Sequence, residues 1–380
     1  MLNGKAWLPV YAQMPLVAVS GHGSWLVDDE GQEWLDAYGG HAVASTGHCH
    51  PHVVEAIRRQ AATLIFYSTA VPHPLREELA ERIAALCPGD LSKVFFCNSG
   101  AEANENALGL ARKMTGRQRI VSVAGGWHGR TAACLAVTDG EKYEAGARRA
   151  GLPLSVKVPF NDAAAMERTV DGATAAVIVE PVQGLTGARD CSVEFLQAAR
   201  RACSRTGAVL IFDEVQCGVG RSGSFTAAEA FGVTPDIITM AKGLASGFPI
   251  GAMVATSALT SGLKIGDLGS TFGGGPVACA AGIATLEVID REGLLVNVTQ
   301  VSGYLRAGAA RLGVSDIRGR GLLLGLQMPR PAAGVQQALF GERVLVGTAS
   351  DPNTLRLLPP LSFSVGEADL LLDALGRVLA

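Results

Sequence analysis

The sequence predicts an α/β fold: a large, mostly parallel sheet flanked by helices, with a smaller second domain. Between about residues 94 and 254, short apolar runs such as RIVSV, TAAVIVE and AVLIF alternate with segments of helical spacing. Short runs of Val, Ile, Leu and Phe are typical of strands covered on both faces, and this alternation is typical of a parallel sheet with helices on both sides. A chain of 380 residues can hold one large core and a smaller domain.

The composition indicates a protein whose partners are small molecules. The net charge is −3 and only 18% of residues are charged, so no basic surface for nucleic acid is expected. No apolar run approaches the roughly 20 residues of a membrane span, and MLNGKAWLPVYAQMP lacks the apolar core of a secretory signal. The eight scattered cysteines form no CxxC pair, which favours a reducing cytoplasm.

The amino-terminal third begins with an antiparallel element. Residues 16–36 alternate and turn at DDEG, as a hairpin does. Tyr11, just before it, either reaches a neighbouring site or anchors the terminal segment. Beyond it the spacing predicts helices over residues 51–64 and 74–86.

The run KVFFCNSGAEANENALGLARKM predicts a strand, a turn and a strong helix over residues 102–114. A turn that feeds a helix start presents free backbone N–H groups and the positive end of the helix dipole, so a phosphate fits there. Ser99 adds a hydroxyl, and Gly100 removes a side chain that would block close approach. An ordinary serine cap explains Ser99 alone equally well.

The strand RIVSV ends in AGGWHGRT, whose paired glycines allow a sharp turn. Trp127 can stack on a flat cofactor there, and Arg130 can bind a carboxylate in bidentate fashion. The alternatives are that Trp127 fills the core and that Arg130 makes a surface ion pair.

Two buried runs each end in a group of chemical interest. AVLIF is followed by Asp213 and Glu214, and DIITM is followed closely by Lys242. Burial favours the neutral amine of a lysine, which is a nucleophile towards aldehydes. A carboxylate nearby can hold a proton on a pyridine nitrogen. Together Lys242 and Asp213 are the two protein groups that pyridoxal phosphate needs, although a helix cap and a solvated lysine remain the alternative.

The densest cluster of potential metal ligands is GHCHPH, which contains His48, Cys49, His50 and His52. A zinc site needs further ligands at a defined spacing, and none is evident. We therefore expect no metal, and interpret this segment as a polar turn before the helix at Pro51.

The carboxyl-terminal part predicts a second, smaller domain. GSTFGGGPVACAAGIATLEVI is interpreted as a glycine-rich turn and a helix of small residues suited to close packing, including packing against another subunit. From about residue 283 the pattern predicts a helix, then strands in VSDIRGRGLLLGLQM, then a final helix, joined to the amino-terminal hairpin.

Several long motifs resemble one family over nearly the whole chain. They are KVFFCNSGAEANENA, GWHGRT, VEPVQG, LIFDEVQCGVGRSG, DIITMAKGLASGFPIGA, GSTFGGGPVACAA, IRGRG and LRLLPPL. The sequence is similar to the class III pyridoxal-phosphate aminotransferases of fold type I. LDAYGGHAVASTGHCHPH, FYS and VLVGTAS are most similar to the N-acetylornithine and N-succinylornithine aminotransferases of arginine metabolism.

This resemblance implies a pyridoxal-phosphate enzyme with a seven-stranded central sheet and a smaller α+β domain, divided at residues 1–45, 46–275 and 276–380. It implies an obligate homodimer with shared active sites and no metal. For the cofactor, the resemblance implies Lys242 as Schiff-base lysine and proton shuttle, Asp213 on the pyridinium nitrogen, Val215 and Trp127 on the two ring faces, and Gln216 on the 3-hydroxyl. It implies that Ser99, Gly100 and Ala101 bind the phosphate, and that Thr271 of the partner subunit completes that site. For the substrates, it implies Arg130 on a substrate carboxylate and Arg356 on the α-carboxylate of 2-oxoglutarate.

One position departs from the family pattern. Many members carry Glu after the glycine of EPVQG, where this sequence has Leu185. That Glu can neutralise the substrate arginine when an ω-amino substrate binds. Without it, Arg356 is expected to stay available to a carboxylate, which disfavours 4-aminobutyrate and free ornithine and suits an acylated ornithine.

The expected reaction is therefore a ping-pong transfer of the terminal amino group of an N-acylated ornithine to 2-oxoglutarate. The alternatives are another ω-amino substrate, such as an acylated or carrier-linked lysine or 4-aminobutyrate, and a non-catalytic protein that binds pyridoxal phosphate. A nicotinamide-dependent oxidoreductase would need GxGxxG after a first strand, and the sequence places none there.

Overall fold

The computed structural model describes residue 6 and residues 8–380. Residues 1–5 and 7 lie outside the described residues. They belong to the amino-terminal segment that is expected not to be a secretory signal. The strands are β1 Ala18–His22, β2 Trp25–Asp28, β3 Glu33–Asp36, β4 Leu91–Cys97, β5 Arg119–Val123, β6 Val156–Val158, β7 Thr174–Val179, β8 Val182–Gln183, β9 Arg189–Asp190, β10 Val209–Asp213, β11 Ile237–Met240, β12 Gly251–Thr256, β13 Ile317–Arg320, β14 Leu323–Gln327, β15 Val344–Leu345, β16 Gly347–Thr348 and β17 Thr354–Leu357.

The helices surround these strands. They are α1 Gly39–Ala42, α2 Pro51–Thr63, α3 Pro74–Ala85, α4 Gly100–Thr115, α5 Ala132–Val137, α6 Glu141–Arg149, α7 Ala163–Thr169, α8 Val193–Thr206, α9 Ala227–Phe231, α10 Ser257–Thr260, α11 Pro276–Arg291, α12 Leu294–Arg311, α13 Ala332–Gly341 and α14 Val365–Leu379. The 3₁₀ turn Lys242–Ala245 is named the lysine turn below.

The central sheet has seven strands in the order β4-β12-β11-β10-β7-β5-β6. β10 is parallel to β7 and β11, and β5 is parallel to β6 and β7, whereas β12 is antiparallel to both of its neighbours. Its strands β7 and β10 are buried at every residue, as the apolar runs predict. The mostly parallel, seven-stranded α/β fold is confirmed.

The register of this sheet brings the two chemically important strand ends together. Asp213 lies opposite Thr239 in the β10–β11 pair, and Lys242 follows three residues after Thr239. Because ligands of open α/β sheets bind outside the carboxyl ends of the strands, this edge is where a site is expected.

The amino-terminal hairpin is larger than predicted. The turn at DDEG joins β2 and β3 as expected, but a tight turn at residues 23–24 adds β1, so that three antiparallel strands form. The carboxyl-terminal strand β15 extends this sheet by pairing parallel to β3. A further sheet, in the order β13-β14-β17-β16, carries the strand that contains Arg356. The domain limits at residues 45 and 275 remain a prediction.

The predicted helices form with small shifts at their ends. Helices α2 and α3 match residues 51–64 and 74–86 to within one residue, and α4 begins at Gly100, ahead of the expected start at 102. The small-residue helix α11 packs against α2, α3 and the lysine turn of the same chain. A Cβ added at Gly282 would lie 2.9 Å from Leu79 Cδ2, so the glycine permits this close packing.

All eight cysteines lie in the described region and none is in a disulfide. Across residue 6 and residues 8–380, no helix is long and apolar enough to cross a membrane.

Candidate active site

Asp213 ends β10 and is 3% exposed. Its Oδ2 accepts hydrogen bonds from Asn104 Nδ2 at 2.7 Å and from the His128 ring at Nδ1 (2.8 Å), and its Oδ1 accepts one from the Val215 N–H at 3.1 Å. Hydrogen bonds to a carboxylate stabilise its charged form. The side chain is therefore held rigidly as an acceptor at the carboxyl end of the sheet.

Asn104 fixes this arrangement from helix α4. Its amide also donates to the His128 carbonyl at 2.9 Å and accepts from Thr239 Oγ1 at 2.6 Å. Asn104 thus connects β10, β11 and the turn after β5 through a single buried side chain.

Lys242 lies at the start of the lysine turn, half-buried, with φ +40°. A positive φ is uncommon for a residue with a Cβ and marks a backbone held in place by its surroundings. Burial lowers the pKa of the Lys242 amine, and the positive charge of Arg356 lowers it further, against the opposing effects of Asp213 and Glu180. The amine is thereby biased towards its neutral, nucleophilic form.

The amino-terminal segment braces the lysine turn. Ser45 Oγ donates to the Gly243 carbonyl at 2.7 Å, and the Thr46 N–H donates to Ser246 Oγ at 2.9 Å. Ser246, which ends the turn, also has a positive φ of 48°. Side chains about 200 positions away in sequence therefore hold the strained backbone that presents Lys242.

The start of helix α4 forms a candidate phosphate site. Ser99 is the N-cap, and its hydroxyl accepts from the Glu102 N–H at 3.2 Å. Within residue 6 and residues 8–380, the N–H groups of Gly100 and Ala101 have no hydrogen-bond partner. Free N–H groups at the amino end of a sixteen-residue helix are suited to an anion.

Gly100 is required by its close contact with Val215. A Cβ at position 100 would lie 2.6 Å from Val215 Cγ1, too close for any side chain. The predicted phosphate turn and the predicted ring-facing valine are therefore neighbours.

Trp127 and Glu180 meet next to this turn. The Trp127 N–H donates to Glu180 Oε1 at 2.7 Å, and the Gly184 N–H donates to Glu180 Oε2 at 3.2 Å. The Trp127 side chain is half-buried, so it neither fills the core nor lies free on the surface.

Arg356 is a buried guanidinium on β17, 5% exposed. Its Nε donates to the Thr348 carbonyl (2.7 Å), one terminal nitrogen to the Gly184 carbonyl (3.0 Å) and the other to the Tyr38 hydroxyl (2.7 Å). No carboxylate in the described chain forms an ion pair with it. Its positive charge is oriented but not neutralised.

Tyr38 extends this arrangement to His41, because its hydroxyl is 2.9 Å from His41 Nδ1. His41 has φ +69°, and its carbonyl accepts from Gln216 Nε2 at 3.4 Å. Burial lowers the pKa of His41, as do the charges of Arg356 and Lys242. The imidazole is thereby biased towards its neutral form.

Gln216 lies directly over Gly184: a Cβ at Gly184 would overlap Gln216 Oε1. The glycine of VEPVQG thus leaves room for the Gln216 side chain, contacts Arg356 through its carbonyl and contacts Glu180 through its N–H. Leu185, the next residue, is half-buried, and its carbonyl accepts from the Ser350 N–H at 2.9 Å.

Three predicted site residues are exposed in the described structure. Arg130 is exposed two residues after His128, Thr271 is exposed on the loop before α11, and Tyr11 is 59% exposed ahead of β1. Ser270, beside Thr271, accepts a hydrogen bond from Asn98 Nδ2 at 3.4 Å. The roles of Arg130, Thr271 and Tyr11 stay predictions.

Four residues that contact the cluster were missed from the sequence: Tyr38, Asn104, His128 and Glu180. His128 and Glu180 stand within the motifs GWHGRT and VEPVQG, so the motifs themselves carried a signal. Asn104 lies on the buried face of α4, where a polar residue needs partners. Tyr38 lies within the motif LDAYGGHAVASTGHCHPH, which carried a signal of the same kind.

The histidines of GHCHPH bind three different acids. His48 contacts Asp36 at 2.7 Å, and His50 and His52 contact Glu292 and Glu287. His50 caps α2, in keeping with the predicted polar turn. Among the described residues, no group of three or more His, Cys, Asp or Glu side chains is arranged to hold a metal ion.

Comparison with known proteins identifies the family. Residues 9–379 match the family model described as Aminotransferase class-III. The chain is a class-III aminotransferase. Such an enzyme depends on pyridoxal phosphate, so the resemblance, the cofactor and the type of reaction are confirmed.

Similar proteins cover almost the full length of this aminotransferase. It is 40% identical to the acetylornithine aminotransferase of Methanocaldococcus jannaschii, over 99% of this chain and 96% of the relative. It is 44% identical to that of Streptomyces coelicolor, over 97% of this chain and 92% of the relative. The solved ornithine aminotransferase of Toxoplasma gondii superposes with a TM-score of 0.91 at 28% identity, covering 98% of this chain and 92% of that one.

The residues of the aminotransferase fit the cofactor. Lys242 supplies an amine without an ion-pair partner in the described chain, and the free N–H groups of Gly100 and Ala101 suit its phosphate. Asp213 supplies a rigid carboxylate for the pyridine nitrogen. The donor set matches what pyridoxal phosphate requires of a protein.

Proposed function

We propose that this aminotransferase transfers the terminal amino group of an N-acylated ornithine, N-acetyl- or N-succinylornithine, to 2-oxoglutarate, giving the semialdehyde and glutamate. The observation that carries the substrate assignment is Arg356, a buried and oriented guanidinium that no carboxylate of the described chain neutralises. The acetylornithine aminotransferases among its relatives support an ornithine-type donor and a role in arginine biosynthesis.

The substitution at Leu185 supports the acylated form of the donor. The Gly184 carbonyl contacts Arg356, so the side chain that follows it belongs to the surroundings of that arginine. An apolar residue there leaves Arg356 free for a carboxylate in both half-reactions. A mode that needs the arginine masked, as with 4-aminobutyrate or free ornithine, is disfavoured.

The proposed roles follow from the positions of the side chains. Pyridoxal phosphate, when bound, supplies an electron sink for the carbon that loses its proton. Lys242 carries that proton, because burial lowers the pKa of its amine and so favours the neutral form that can accept it. Asp213 keeps the ring nitrogen protonated, and Arg356 binds the α-carboxylate of 2-oxoglutarate.

The remaining assigned residues complete the proposed site. Ser99, Gly100 and Ala101 bind the phosphate, Val215 and Trp127 cover the ring, and Gln216 contacts its hydroxyl. Arg130 binds a substrate carboxylate, with Tyr11 at the entrance.

We further propose a homodimer in which Thr271 completes the partner's phosphate site. Exposed apolar side chains near Thr271 support this: Phe272 is 64% exposed and packs on Phe66 with ring centroids 5.1 Å apart, beside Ile65 and Tyr67. Exposed aromatic patches of this kind mark interaction surfaces. Free cysteines support a cytoplasmic location.

The donor is tested by half-reactions. Purified enzyme loaded with pyridoxal phosphate is mixed separately with N-acetylornithine, N-succinylornithine, ornithine and 4-aminobutyrate, and loss of the absorbance of the lysine-bound cofactor is followed. Rapid conversion by an acylated ornithine, absent in Lys242→Ala, supports the proposal and names the acyl group. Conversion by ornithine or 4-aminobutyrate alone would overturn it.

The dimer is tested by light scattering after size-exclusion chromatography. Phe272→Glu should yield monomers with a reduced affinity for the cofactor. As a control, Val296→Glu changes an apolar side chain of similar exposure, 62%, on α12 and should leave the mass unchanged.

A further inference from the structure

Glu180 is a buried carboxylate to which neither the family resemblance nor the proposed transamination assigns a role. It follows β7 directly and is 6% exposed. Each carboxylate oxygen accepts one backbone N–H, from Trp127 and from Gly184. No lysine, arginine or histidine of the described chain forms an ion pair with it.

A buried acid without a cationic partner is costly, because the charged form loses its hydration. Burial accordingly raises the pKa of Glu180 to about 7, and the neighbouring negative charge of Asp213 raises it too, while the charge of His128 and the two N–H donors lower it. A glutamine or an apolar residue would avoid this cost. A carboxylate offers what neither of those residues has, two equivalent oxygens that each accept a backbone N–H.

The two donors belong to different loops with different tasks. Trp127 lies in the turn after β5 and carries the aromatic ring assigned to the cofactor. Gly184 lies after β8, and its carbonyl accepts from Arg356 at 3.0 Å. The Gln216 amide occupies the space that a Cβ at this position would need.

Both backbone polar groups of Gly184 are therefore hydrogen-bonded. Its N–H is fixed by Glu180 and its carbonyl orients Arg356, so any displacement of Gly184 moves an acceptor of the arginine. Since a misplacement of about 1 Å at a positioning group can cost on the order of a hundredfold in rate, the anchor at Glu180 matters for substrate binding.

We propose that Glu180 is a positioning residue whose carboxylate bridges the Trp127 and Gly184 peptides and so links the aromatic wall of the cofactor site to the orientation of Arg356. Through this bridge, Glu180 sets the affinity for the keto-acid carboxylate, an assignment that rests on the proposed role of Arg356. Both of its carboxylate oxygens are engaged by backbone N–H groups.

The bridge depends on the ionised form of Glu180. A protonated carboxyl has one oxygen occupied by hydrogen, so only one of the two N–H groups keeps a good acceptor. Because the pKa of Glu180 is raised to about 7, the bridge is complete above that pH and is lost as the pH falls through it. Other titratable or charged groups whose fields reach Glu180 are Asp213, His128, Lys242, Arg356, Cys191 and Cys217.

The test compares wild type with Glu180→Gln, which keeps the shape and has one acceptor oxygen. In steady-state assays with 2-oxoglutarate as acceptor, KM should rise about tenfold with a smaller change in kcat, as expected for one lost hydrogen bond to a charged acceptor. The affinity of the apoenzyme for pyridoxal phosphate, measured by quenching of tryptophan fluorescence, should also fall.

The pH profile separates positioning from a general loss of stability. In wild type, KM for 2-oxoglutarate should increase as the pH falls from 8.5 to 5.5, with a midpoint of about 7. In Glu180→Gln this step should be absent. The matched control is Asp28→Asn, which also converts a buried carboxylate with two backbone N–H donors into an amide, in the β2–β3 turn, and should keep the wild-type profile.

Two results would overturn the proposal: a wild-type KM that is flat across this pH range, a measurement that needs no variant to fold, or a Glu180→Gln enzyme with wild-type KM and pH profile. Failure of 2-oxoglutarate to react with the wild-type enzyme at any pH would instead overturn the proposed function, so the two failures are distinguishable.

Discussion

Replacing Asn104 by alanine is predicted to impair both the reaction and the fold. The substitution removes the donor at 2.7 Å from Asp213 Oδ2, the donor to the His128 carbonyl and the acceptor for Thr239 Oγ1. Asp213 then keeps only the His128 ring and the Val215 N–H.

The magnitude follows from these contacts. A hydrogen bond to a charged group contributes about 1.5–3 kcal/mol, so if the Asp213 contact is expressed fully in the transition state, the half-reaction should slow by about 10- to 100-fold. The two buried groups left without Asn104 cost about 1–3 kcal/mol each unless they find other partners, so we expect about 3 kcal/mol less stability.

The assay is the rate of cofactor absorbance loss with an excess of the best donor, together with urea unfolding. Asn106→Ala is the matched control: Asn106 lies two residues further along α4, and its side chain donates only to the helix carbonyl of Glu102. It should behave like wild type. A folded, cofactor-loaded Asn104→Ala with a half-reaction within twofold of wild type would refute the reasoning.

Three further predictions concern single positions. Gly100→Ala should weaken cofactor binding about tenfold, because its Cβ would lie 2.6 Å from Val215 Cγ1. As a control, Gly109→Ala on the same helix meets nothing within 4 Å and should stabilise the protein by about 0.5–1 kcal/mol without changing its affinity for the cofactor. Equal cofactor affinities of the two variants would contradict this prediction. Leu185→Glu should place a carboxylate beside Arg356, and so raise KM for 2-oxoglutarate and increase kcat/KM for ornithine or 4-aminobutyrate. If the ratio of kcat/KM values between the donors stayed unchanged, residue 185 would not reach Arg356. Burial lowers the pKa of Lys242 from 10.5, so the rate at which the apoenzyme bonds to pyridoxal phosphate through this lysine should reach half its maximum below pH 10.5. The rate is measured by stopped flow as a function of pH. A midpoint at or above pH 10.5 would contradict a lowered pKa of Lys242.

The sequence predicts the middle of the sheet well because the strands there are fully buried. Runs such as β7 and β10 have no polar face, so composition alone identifies them, and their carboxyl ends locate Asp213 and Lys242. The register then confirms that both emerge at one edge.

Short elements escaped prediction. Helices α5 and α7 have six and seven residues and β6 has three, too few for a periodic pattern to emerge. The turn at residues 23–24 was missed for a similar reason, since β1 has only five residues, is mostly exposed and continues the alternation of the following strand.

The contacts between distant residues could not be read from the chain. Asn104 and Asp213 are 109 positions apart, and Tyr38 and Arg356 are 318 apart. Local patterns identify which residue types suit a chemistry, but only tertiary packing decides which of them meet. Glu180 illustrates this, because the motif VEPVQG marks the residue but does not show that its carboxylate accepts from Trp127.

The brace on the lysine turn has a consequence for how the enzyme acquires its cofactor. Contacts that join positions 45 and 243, or 46 and 246, close loops of about 200 residues, and such long-range contacts are slow to form. The central sheet can assemble from nearer neighbours before the amino-terminal segment docks. Competence to capture pyridoxal phosphate should therefore appear late in refolding, after most secondary structure, so that cofactor absorbance reports the completion of folding rather than its onset.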